Sequence, residues 1–565
     1  MATMGILLSV EEIKRTSPTT IYYLLSQSWN ENKLEFNTDS LGSSLSYAPQ
    51  KKDMSQIVKE VDRHLYGLSS QEIIATNQSR DTVLSINSFS TFPTKKDVLP
   101  IQDQQFCELY NNKLQRPLVA FLLSSIPDEY EWTMNVFRLG FKDISRSNPI
   151  PVVIHLLIRT PGFFTNNEAA AIKILDGMEQ VIQQETRDKI CIDVCQIRKS
   201  MFRSSSGNPG VNLTDRFEGL YHHTPCPGFS IGNKKSSAAG SFTGFVYHEN
   251  EIYGLTCRHI LLPESDYPDS VLSYKYDEKE KLKVCMPAHK DHQITKQKIA
   301  GKHQLFRNKV KSLEKDLLKS SDPVTVQNEI EKYKSLEETW ASSLYAAVLH
   351  DPNIGHVYGT PEKWRKIPTY DGFLDWGLFS VDGLASADTN KKLNQISINA
   401  PIGVEDFPRD DFSATQLEDI NTKCKAIMNS PFLNIKNPQY SSKPKLNTIY
   451  FKPASRTTNL KACMCNGILA IEKIPGREPS REHVYVGVNC AVSAPGDSGA
   501  LICDLDIAAN DDNDNVAVLV PIAVVWGGEE NHGGWTDVTY ATPVSVVLKD
   551  IENFLGWDSG SVRFC

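Results

Sequence analysis

Ser498 is the first side chain in this sequence whose setting suggests chemistry, because it lies in a Gly-Asp-Ser-Gly turn between two apolar runs (AVSAPGDSGALIC, 491–503). A serine hydroxyl attacks a carbonyl carbon when a base takes its proton, a carboxylate orients that base, and backbone N–H groups stabilise the tetrahedral oxyanion. The turn alone is more typical of a structural loop, since glycines suit any sharp chain reversal. Catalysis by Ser498 therefore requires a base and an acid elsewhere in the chain.

Two further residues have the types and positions that such a serine needs. His259 ends a strand-like run, IYGLTCRH, and Asp375 is an acid inside the apolar run FLDWGLFSV. A histidine at a strand end can face a cleft, and a carboxylate in an apolar strand is rare unless it is paired or hydrogen-bonded. The alternatives are a histidine held in a core or loop and an aspartate in a turn, for which Asp371 is the nearby example. We favour His259 and Asp375 as the base and its orienting acid.

The region that carries these three residues has the pattern of an all-β domain. From about residue 226 onwards, short apolar runs are separated by turns that contain Gly and Ser, which predicts a sandwich or a barrel. Two segments interrupt this pattern. Residues 287–349 are rich in Lys, Glu and Leu and predict a helical hairpin inserted between two strands, whereas 403–445 predicts a long surface loop with one short helix.

Upstream of this region, the chain predicts a small α/β domain. Three apolar runs predict buried strands, at 117–126, 151–158 and 189–197, and an amphipathic pattern predicts a helix at 166–184. A helix is also predicted at 54–65, and the Ser, Gly, Asn and Pro residues of 198–216 indicate an exposed linker. The predicted parts are an N-terminal region of uncertain fold at 1–100, the α/β domain at 101–205, a linker at 206–225 and the β domain at 226–565.

The order His259, Asp375, Ser498 resembles that of chymotrypsin- or trypsin-like serine proteases, and differs from the orders in subtilisins and α/β-hydrolases. Two other stretches support this resemblance, which covers about 226–556. KPASRTTNLKACMCNG (452–467) is similar to a Lys-x-Gly-x-Thr-Thr-Gly-x-Thr-x-Gly hairpin of trypsin-like proteins, and VVWGG (524–528) lies where the family has its substrate-lining Ser-Trp-Gly strand. The resemblance implies two six-stranded antiparallel β-barrels with the site in the crevice between them. Together with the α/β domain that periodicity predicts upstream, the predicted fold class is mixed.

The resemblance also implies a role for each site residue. His259 would be the general base and then the general acid, Asp375 would hold its tautomer, and Ser498 would attack the scissile carbonyl. The N–H groups of Gly496 and Ser498 would form the oxyanion hole. Four residues would line the pocket for the substrate side chain before the cut: Val492, Trp526, Gly527 and Val538. Because Val492 is apolar, we expect a preference for a neutral substrate side chain.

The departures from the family concern disulfides and activation. Secreted members have cysteines where this chain has Ile260 and Ala494, so both disulfides are missing, which favours an intracellular, cytoplasmic enzyme. No Ile-Val-Gly-Gly sequence precedes the domain, so Asp497 lacks the freed amino terminus that pairs with this aspartate in the family. A buried Asp497 must then be satisfied in another way, or the site must be held inactive.

Composition limits the partners. A net charge of −8 with mixed signs gives no nucleic-acid footprint, and the chain shows neither a signal peptide nor an apolar run long enough to span a membrane. The twelve cysteines lack the spacing and the neighbouring histidines of a zinc site, so we predict no metal and no cofactor. The predicted partner is a protein or peptide substrate.

The sequence therefore predicts an intracellular serine endopeptidase regulated by its N-terminal region. That region would serve as an inhibitory prodomain, a sensor or a module that recruits substrate. The alternative is a pseudoprotease that uses the barrel, the N-terminal domain and the hairpin as binding surfaces. A coiled-coil adaptor centred on 291–349 is disfavoured, because the apolar pattern does not persist for the three or four heptads that a coiled coil needs.

Overall fold

The computed structural model places every residue that it describes in one compact unit, Met54–Cys565. The described residues are 56–57, 71–78, 97–140, 150–164, 167–197, 225–263, 273–276, 281–382, 393–397, 407, 412–430, 432–437, 444–488, 491–509, 515–529 and 538–565. The predicted linker at 206–225 lies outside them except for its last residue, and the domain boundaries stay predictions.

The described part of the chain contains short strands and a few helices. The strands are β1 Gln56–Ile57, β2 Gln71–Thr76, β3 Asp97–Leu99, β4 Trp132–Gly140, β5 Val152–Ile158, β6 Cys191–Ile197, β7 Ser230–Asn233, β8 Gly240–Ser241, β9 Gly244–His248, β10 Glu251–Thr256, β11 Tyr274–Lys275, β12 Lys283–Cys285, β13 Asn353–Thr360, β14 Arg365–Ile367, β15 Tyr370–Leu374, β16 Gly377–Val381, β17 Gln395–Ser397, β18 Phe432–Ile435, β19 Ile449–Lys452, β20 Lys461–Cys465, β21 Ala470–Lys473, β22 Ser480–Gly487, β23 Leu501–Ala509, β24 Asn515–Glu529, β25 Val538–Pro543 and β26 Arg563–Phe564. The helices are α1 Gln104–Leu109, which continues through a π-helical turn at Tyr110–Leu114 into α2 Gln115–Ser125, then α3 Glu168–Glu185, α4 Arg258–Leu261, α5 His289–Leu317, α6 Pro323–Leu349, α7 Ala414–Met428 and α8 Val544–Leu555.

Six antiparallel strands close into a barrel. The order around it is β19, β20, β22, β25, β24 and β23, and β23 pairs back with β19 through Phe451 and Cys503. Closure removes free sheet edges, and alternate residues fill the interior. The interior includes Tyr450, Tyr485 and Ile502, all fully or almost fully buried. The barrel expected from the short strands of this region is present.

The other sheet of the β region is a half-barrel. Its strands run in the order β26, β9, β10, β16, β13, β12, β7 and β8, with β11 beside β13. The resemblance implied a closed six-stranded barrel here, but within the described residues the ladder does not close. One reason lies at β8, where Ser241 N donates to Ser498 O at 2.7 Å, so this edge bonds to the serine turn of the closed barrel.

The strands upstream extend the sheet of the closed barrel. Met134 of β4 lies opposite Ile471 of β21, and β5, β6, β2 and β1 follow outward. The side chains of Val98 and Phe137 are buried in the same core as those of both β sheets. The ladder and this shared core therefore attach the described residues of 97–197 to the closed barrel.

Two secondary-structure predictions in this part are wrong, and three are confirmed. The run predicted as a strand at 117–126 is helix α2, because buried Leu114, Leu118 and Leu122 recur every four residues along one helical face. Gln56–Ile57, predicted as helix, is strand β1, and the rest of 54–65 lies outside the described residues. Strands β5 and β6 and helix α3 lie where the sequence predicts them.

The predicted helical hairpin is present as α5 and α6, between β12 and β13. The turn between the helices ends at Asp322, whose carboxylate accepts a hydrogen bond from Thr325 N at 3.2 Å, and Pro323 occupies the first turn of α6. The two helices pack on each other through Ile299, Trp340 and Ala347.

Among the described helices, none combines the length and the apolar character needed to cross a membrane.

Candidate active site

His259 and Asp375 lie in contact. His259 Nδ1 hydrogen-bonds to Asp375 Oδ2, and the backbone N–H of His259 donates to Asp375 Oδ1 at 3.1 Å. Both side chains are 18% exposed. The Nδ1 bond orients the imidazole and leaves Nε2 on the side away from the aspartate, while the backbone bond attaches the carboxylate to the main chain of His259.

The strand pairing explains how residues so far apart in sequence meet. Strands β10 and β16 are antiparallel, with Thr256 opposite Gly377. His259 follows the end of β10 and Asp375 precedes the start of β16, so the pairing brings them to the same end of the half-barrel. A Cβ atom on Gly377 would lie 2.7 Å from Leu261 Cδ1, so the glycine lets α4 approach the strand closely.

The Asp375 carboxyl is held ionised. Burial raises the pKa of this group, but the charge of His259 and its two hydrogen bonds outweigh burial and bring the pKa below its ordinary value. An ionised carboxylate at this position accepts the hydrogen bond from Nδ1 and so orients the imidazole ring.

Ser498 lies where the two β sheets meet. The positive φ angles of Gly496 (99°) and Gly499 (90°) make the sharp turn around it. Gly499 N donates to Val525 O at 2.7 Å, and the Ser498 hydroxyl donates to Trp526 O at 3.3 Å. These bonds attach the serine turn to strand β24 of the closed barrel.

The serine turn and the histidine helix share a neighbour in the half-barrel. A Cβ atom on Gly240 would lie 2.9 Å from Ser498 O and 2.1 Å from Ile260 Cδ1. Because Ile260 directly follows His259, the structure brings the turn of Ser498 and the helix of His259 against the same glycine. The sequence-predicted base, acid and serine thus lie at one junction of the half-barrel and the closed barrel.

Backbone donors on this turn differ in their hydrogen bonding. Asp497 N donates to Ala494 O at 2.9 Å, and Gly499 N is bonded to β24. Among the residues that the structure describes, the N–H groups of Gly496 and Ser498 donate to no protein acceptor. These two N–H groups on one turn therefore have no acceptor among the described residues.

Of the four residues predicted to line a substrate pocket, three are buried in apolar cores and one is half-buried. Val492 is fully buried in the interior of the closed barrel, and Trp526 and Val538 are buried in the larger apolar core. Gly527 is half-buried, and a Cβ atom there would meet only Tyr540 Cδ2, at 4.0 Å. Gly527 therefore borders open space, whereas Val492 packs inside the barrel.

Sequence reasoning missed two polar residues that pack behind the turn. A Cβ atom on Gly496 would lie 2.0 Å from Arg456 Nη1, so the guanidinium lies directly against the turn. Arg456 is bonded to Asp291 of helix α5, which also accepts a hydrogen bond from Ser230 Oγ at 2.5 Å. The only sequence signal for these contacts was the similarity of 452–467 to a family hairpin, and it did not identify partners.

One group of described residues has the spacing of metal ligands, and it overlaps the His-Asp pair. Cys257, His259 and Asp375 offer ligand atoms within 4.8 Å of one another. Burial, followed by the charge of Asp375, raises the pKa of the Cys257 thiol well above its ordinary value, and its Sγ donates to Val525 O at 3.3 Å. A thiol that stays protonated is a poor metal ligand, and His259 and Asp375 already bind each other.

No protein-family model matches the chain, and no curated protein matches it significantly. A closed barrel beside a half-barrel is compatible with a chymotrypsin-like double barrel. The function must therefore be argued from the residues at the junction.

Proposed function

We propose that this protein is a serine endopeptidase that hydrolyses peptide bonds through His259, Asp375 and Ser498. The observation that carries the proposal is the His259–Asp375 pair at the junction where the Ser498 turn also lies. The architecture supports it, since a chymotrypsin-like site is built between two barrels.

The first half of the reaction forms an acyl-enzyme. The Ser498 hydroxyl turns from Trp526 O towards His259, and its oxygen bonds to the scissile carbonyl carbon while its proton passes to Nε2. The oxyanion accepts hydrogen bonds from Gly496 N and Ser498 N, the two donors of this turn that have no acceptor among the described residues. His259 then gives the proton to the leaving amine as the C–N bond breaks.

The second half repeats these steps with water. His259 takes a proton from a water molecule, whose oxygen attacks the acyl carbon. The bond between that carbon and Ser498 Oγ then breaks, His259 returns the proton to Oγ, and the second product leaves as a carboxylic acid. Asp375 stabilises the imidazolium in both halves. No step requires a metal or a cofactor.

Two further parts of the proposal concern the cellular compartment and the substrate. The described cysteines are all free thiols, which supports an enzyme of a reducing, intracellular compartment. Gly527, on strand β24, borders open space and supports binding of an extended substrate beside this strand. The predicted preference for a neutral substrate side chain rested on Val492, which is buried inside the closed barrel. The pseudoprotease alternative is not favoured, because a scaffold has no chemical need for the His259–Asp375 pair together with two backbone donors that have no acceptor among the described residues.

The test is covalent labelling of the full-length protein with a fluorophosphonate probe. We expect wild type to be labelled, and both Ser498→Ala and His259→Ala to lose labelling. Ser124→Ala, on the exposed face of α2, and His303→Ala, on the hairpin, are matched controls that should keep it. Absence of labelling in wild type, or labelling that survives in Ser498→Ala, would contradict the proposal.

A further inference from the structure

Asp497, the residue between the two proposed oxyanion donors, is fully buried together with Lys452. The side chains of both residues are 0% exposed, and Lys452 Nζ lies 3.7 Å from Asp497 Oδ2. A buried carboxylate is strongly unfavourable unless a cation and hydrogen-bond donors surround it. The partners of Asp497 therefore decide whether this turn is stable.

The segment that follows strand β19 supplies almost all of those partners. Asp497 Oδ1 accepts from Ser455 Oγ at 2.7 Å, Thr457 N at 2.8 Å and Thr458 N at 3.2 Å, while Oδ2 accepts from Thr458 Oγ1 at 2.6 Å and Ala494 N at 3.1 Å. Burial raises the pKa of Asp497, but the charge of Lys452 and these bonds outweigh it and hold the pKa below its ordinary value. Asp497 is thus an ionised carboxylate whose two oxygens both accept hydrogen bonds.

Lys452 interacts with the Asp497 carboxylate both directly and through Ser455. Its ammonium group faces Oδ2 directly, and it also donates to Ser455 Oγ at 2.7 Å, which in turn donates to Oδ1. The ammonium group also donates to the carbonyl oxygen of the following residue, Pro453, at 3.2 Å. The cation, the hydroxyl and the carboxylate form one chain of charge-assisted hydrogen bonds.

We propose that Lys452 is a built-in counter-ion that holds Asp497, and with it the Gly496–Ser498 turn, in the conformation that presents the oxyanion donors. The inference rests on the proposed function and adds its mode of activation. In the resembling proteases an amino terminus freed by cleavage neutralises the corresponding aspartate. Here the side chain of Lys452 occupies the carboxylate, so the site is assembled in the uncut chain and needs no new amino terminus. Lys452 is a positioning residue, since it acts through Asp497.

The principal variant is Lys452→Met, and its matched control is Lys473→Met. Lys473, on strand β21, is also a buried lysine, but its Nζ pairs with Asp128 Oδ1 at 2.5 Å. Loss of one oxyanion donor lowers turnover by about 10²–10³-fold in related enzymes. We expect Lys452→Met to lower the fluorophosphonate labelling rate by about that factor and to speed amide exchange in 491–500. Lys473→Met should leave both unchanged.

Three further arms separate positioning from general damage. The double variant Lys452→Met/Asp497→Asn carries no uncompensated buried charge and is expected to fold, yet to label slowly. Methylammonium should restore part of the labelling rate of Lys452→Ala, because it can replace the missing cation. Wild type with its α-amino group acetylated should label as fast as the unmodified chain.

The outcomes also distinguish this inference from the proposed function. A wild-type labelling rate in Lys452→Met or in the double variant, or loss of labelling on acetylation, would overturn the inference while the proposed protease stands. Suppose that wild type is never labelled, but that amide exchange in 491–500 is faster in Lys452→Met and not in Lys473→Met. The positioning role then holds and the protease proposal fails. Unchanged exchange in that variant overturns the positioning role.

Discussion

Arg456 and Asp291 form a buried, bidentate ion pair, with Nε to Oδ2 at 2.6 Å and Nη2 to Oδ1 at 2.9 Å. Asp291 belongs to the first turn of the helical hairpin, and Arg456 lies against Gly496. The base of the hairpin is therefore part of the wall behind the serine turn, which gives the insertion a structural role at the site.

Asp291→Asn is expected to weaken both the fold and the site. Removing one partner of a buried ion pair costs about 3–5 kcal/mol, because the remaining charge is left uncompensated. The free energy of unfolding, measured with urea, should fall by about that amount, and labelling should slow. Asp322→Asn, at the exposed tip of the same hairpin, is the control, since asparagine caps a helix as well as aspartate does. Equal effects of the two substitutions would disprove the role of the hairpin base.

Asp375→Asn is expected to abolish most turnover without unfolding the protein. An amide cannot hold the imidazole tautomer or stabilise its cation, and the loss in a Ser-His-Asp triad is about 10⁴-fold in kcat. Steady-state hydrolysis of a peptide substrate measures it. Asp371→Asn serves as control because Asp371 is exposed and lies 3.7 Å from Arg481. A similar loss in both variants would argue against Asp375 as the orienting acid.

Gly496→Ala is expected to lower the labelling rate by about 10²–10³-fold, the cost of misplacing an oxyanion donor. Its φ of 99° disfavours any side chain, and the new methyl group would meet Arg456 Nη1 at 2.0 Å. Gly476→Ala separates the two causes, since Gly476 has a φ of 67° with nothing within 4 Å of its Cβ position. That control should lose about 1–2 kcal/mol of stability and keep its labelling rate. Normal labelling of Gly496→Ala would contradict the proposed oxyanion hole.

Glu482 should make stability depend on pH. Burial, followed by the charge of Glu472, raises the pKa of Glu482 to about 8, while its Oε1 accepts from Phe373 N at 2.9 Å. With a raised pKa, its contribution is fully present below the unfolded-state pKa and is lost as pH rises towards 8, with a slope of at most about 1.4 kcal/mol per pH unit. Urea unfolding at pH 5 and pH 8 should show a smaller decrease for Glu482→Gln than for wild type. Exposed Glu478→Gln should follow wild type, and parallel curves for all three proteins would refute the assignment.

A cut in the predicted linker should not release the N-terminal part. Strand β4 pairs with β21, and Arg159 bonds Glu472 across the same interface at 2.6 Å with both side chains buried. We expect a foreign protease site placed within 206–216 to yield two fragments that co-elute in gel filtration and keep the labelling rate of the uncut protein. Separation of the fragments under native conditions, with faster labelling, would instead indicate a removable prodomain.

Local pattern predicted much of what lies along the chain, because each signal spans only a few residues. The hairpin α5–α6, helix α3 and strands β5 and β6 follow from periodicity and from capping residues. The apolar run at 117–126 was wrongly predicted as a strand, because a buried helix and a buried strand have the same apolar composition. The burial of every fourth residue, Leu114, Leu118 and Leu122, identifies it as a helix.

By itself, the sequence determined the candidates: a serine in a glycine turn, a histidine after a strand and an acid in an apolar run, in one chain order. Only the tertiary structure decided what surrounds them. The ion pair of Arg456 and Asp291 joins residues 165 positions apart, and Asp497 meets Ser455 across 42 positions. Buried charges find partners by spatial packing, which leaves no periodicity in the chain. For that reason the sequence did not reveal the cation that pairs with Asp497, and the tertiary structure identifies it as Lys452.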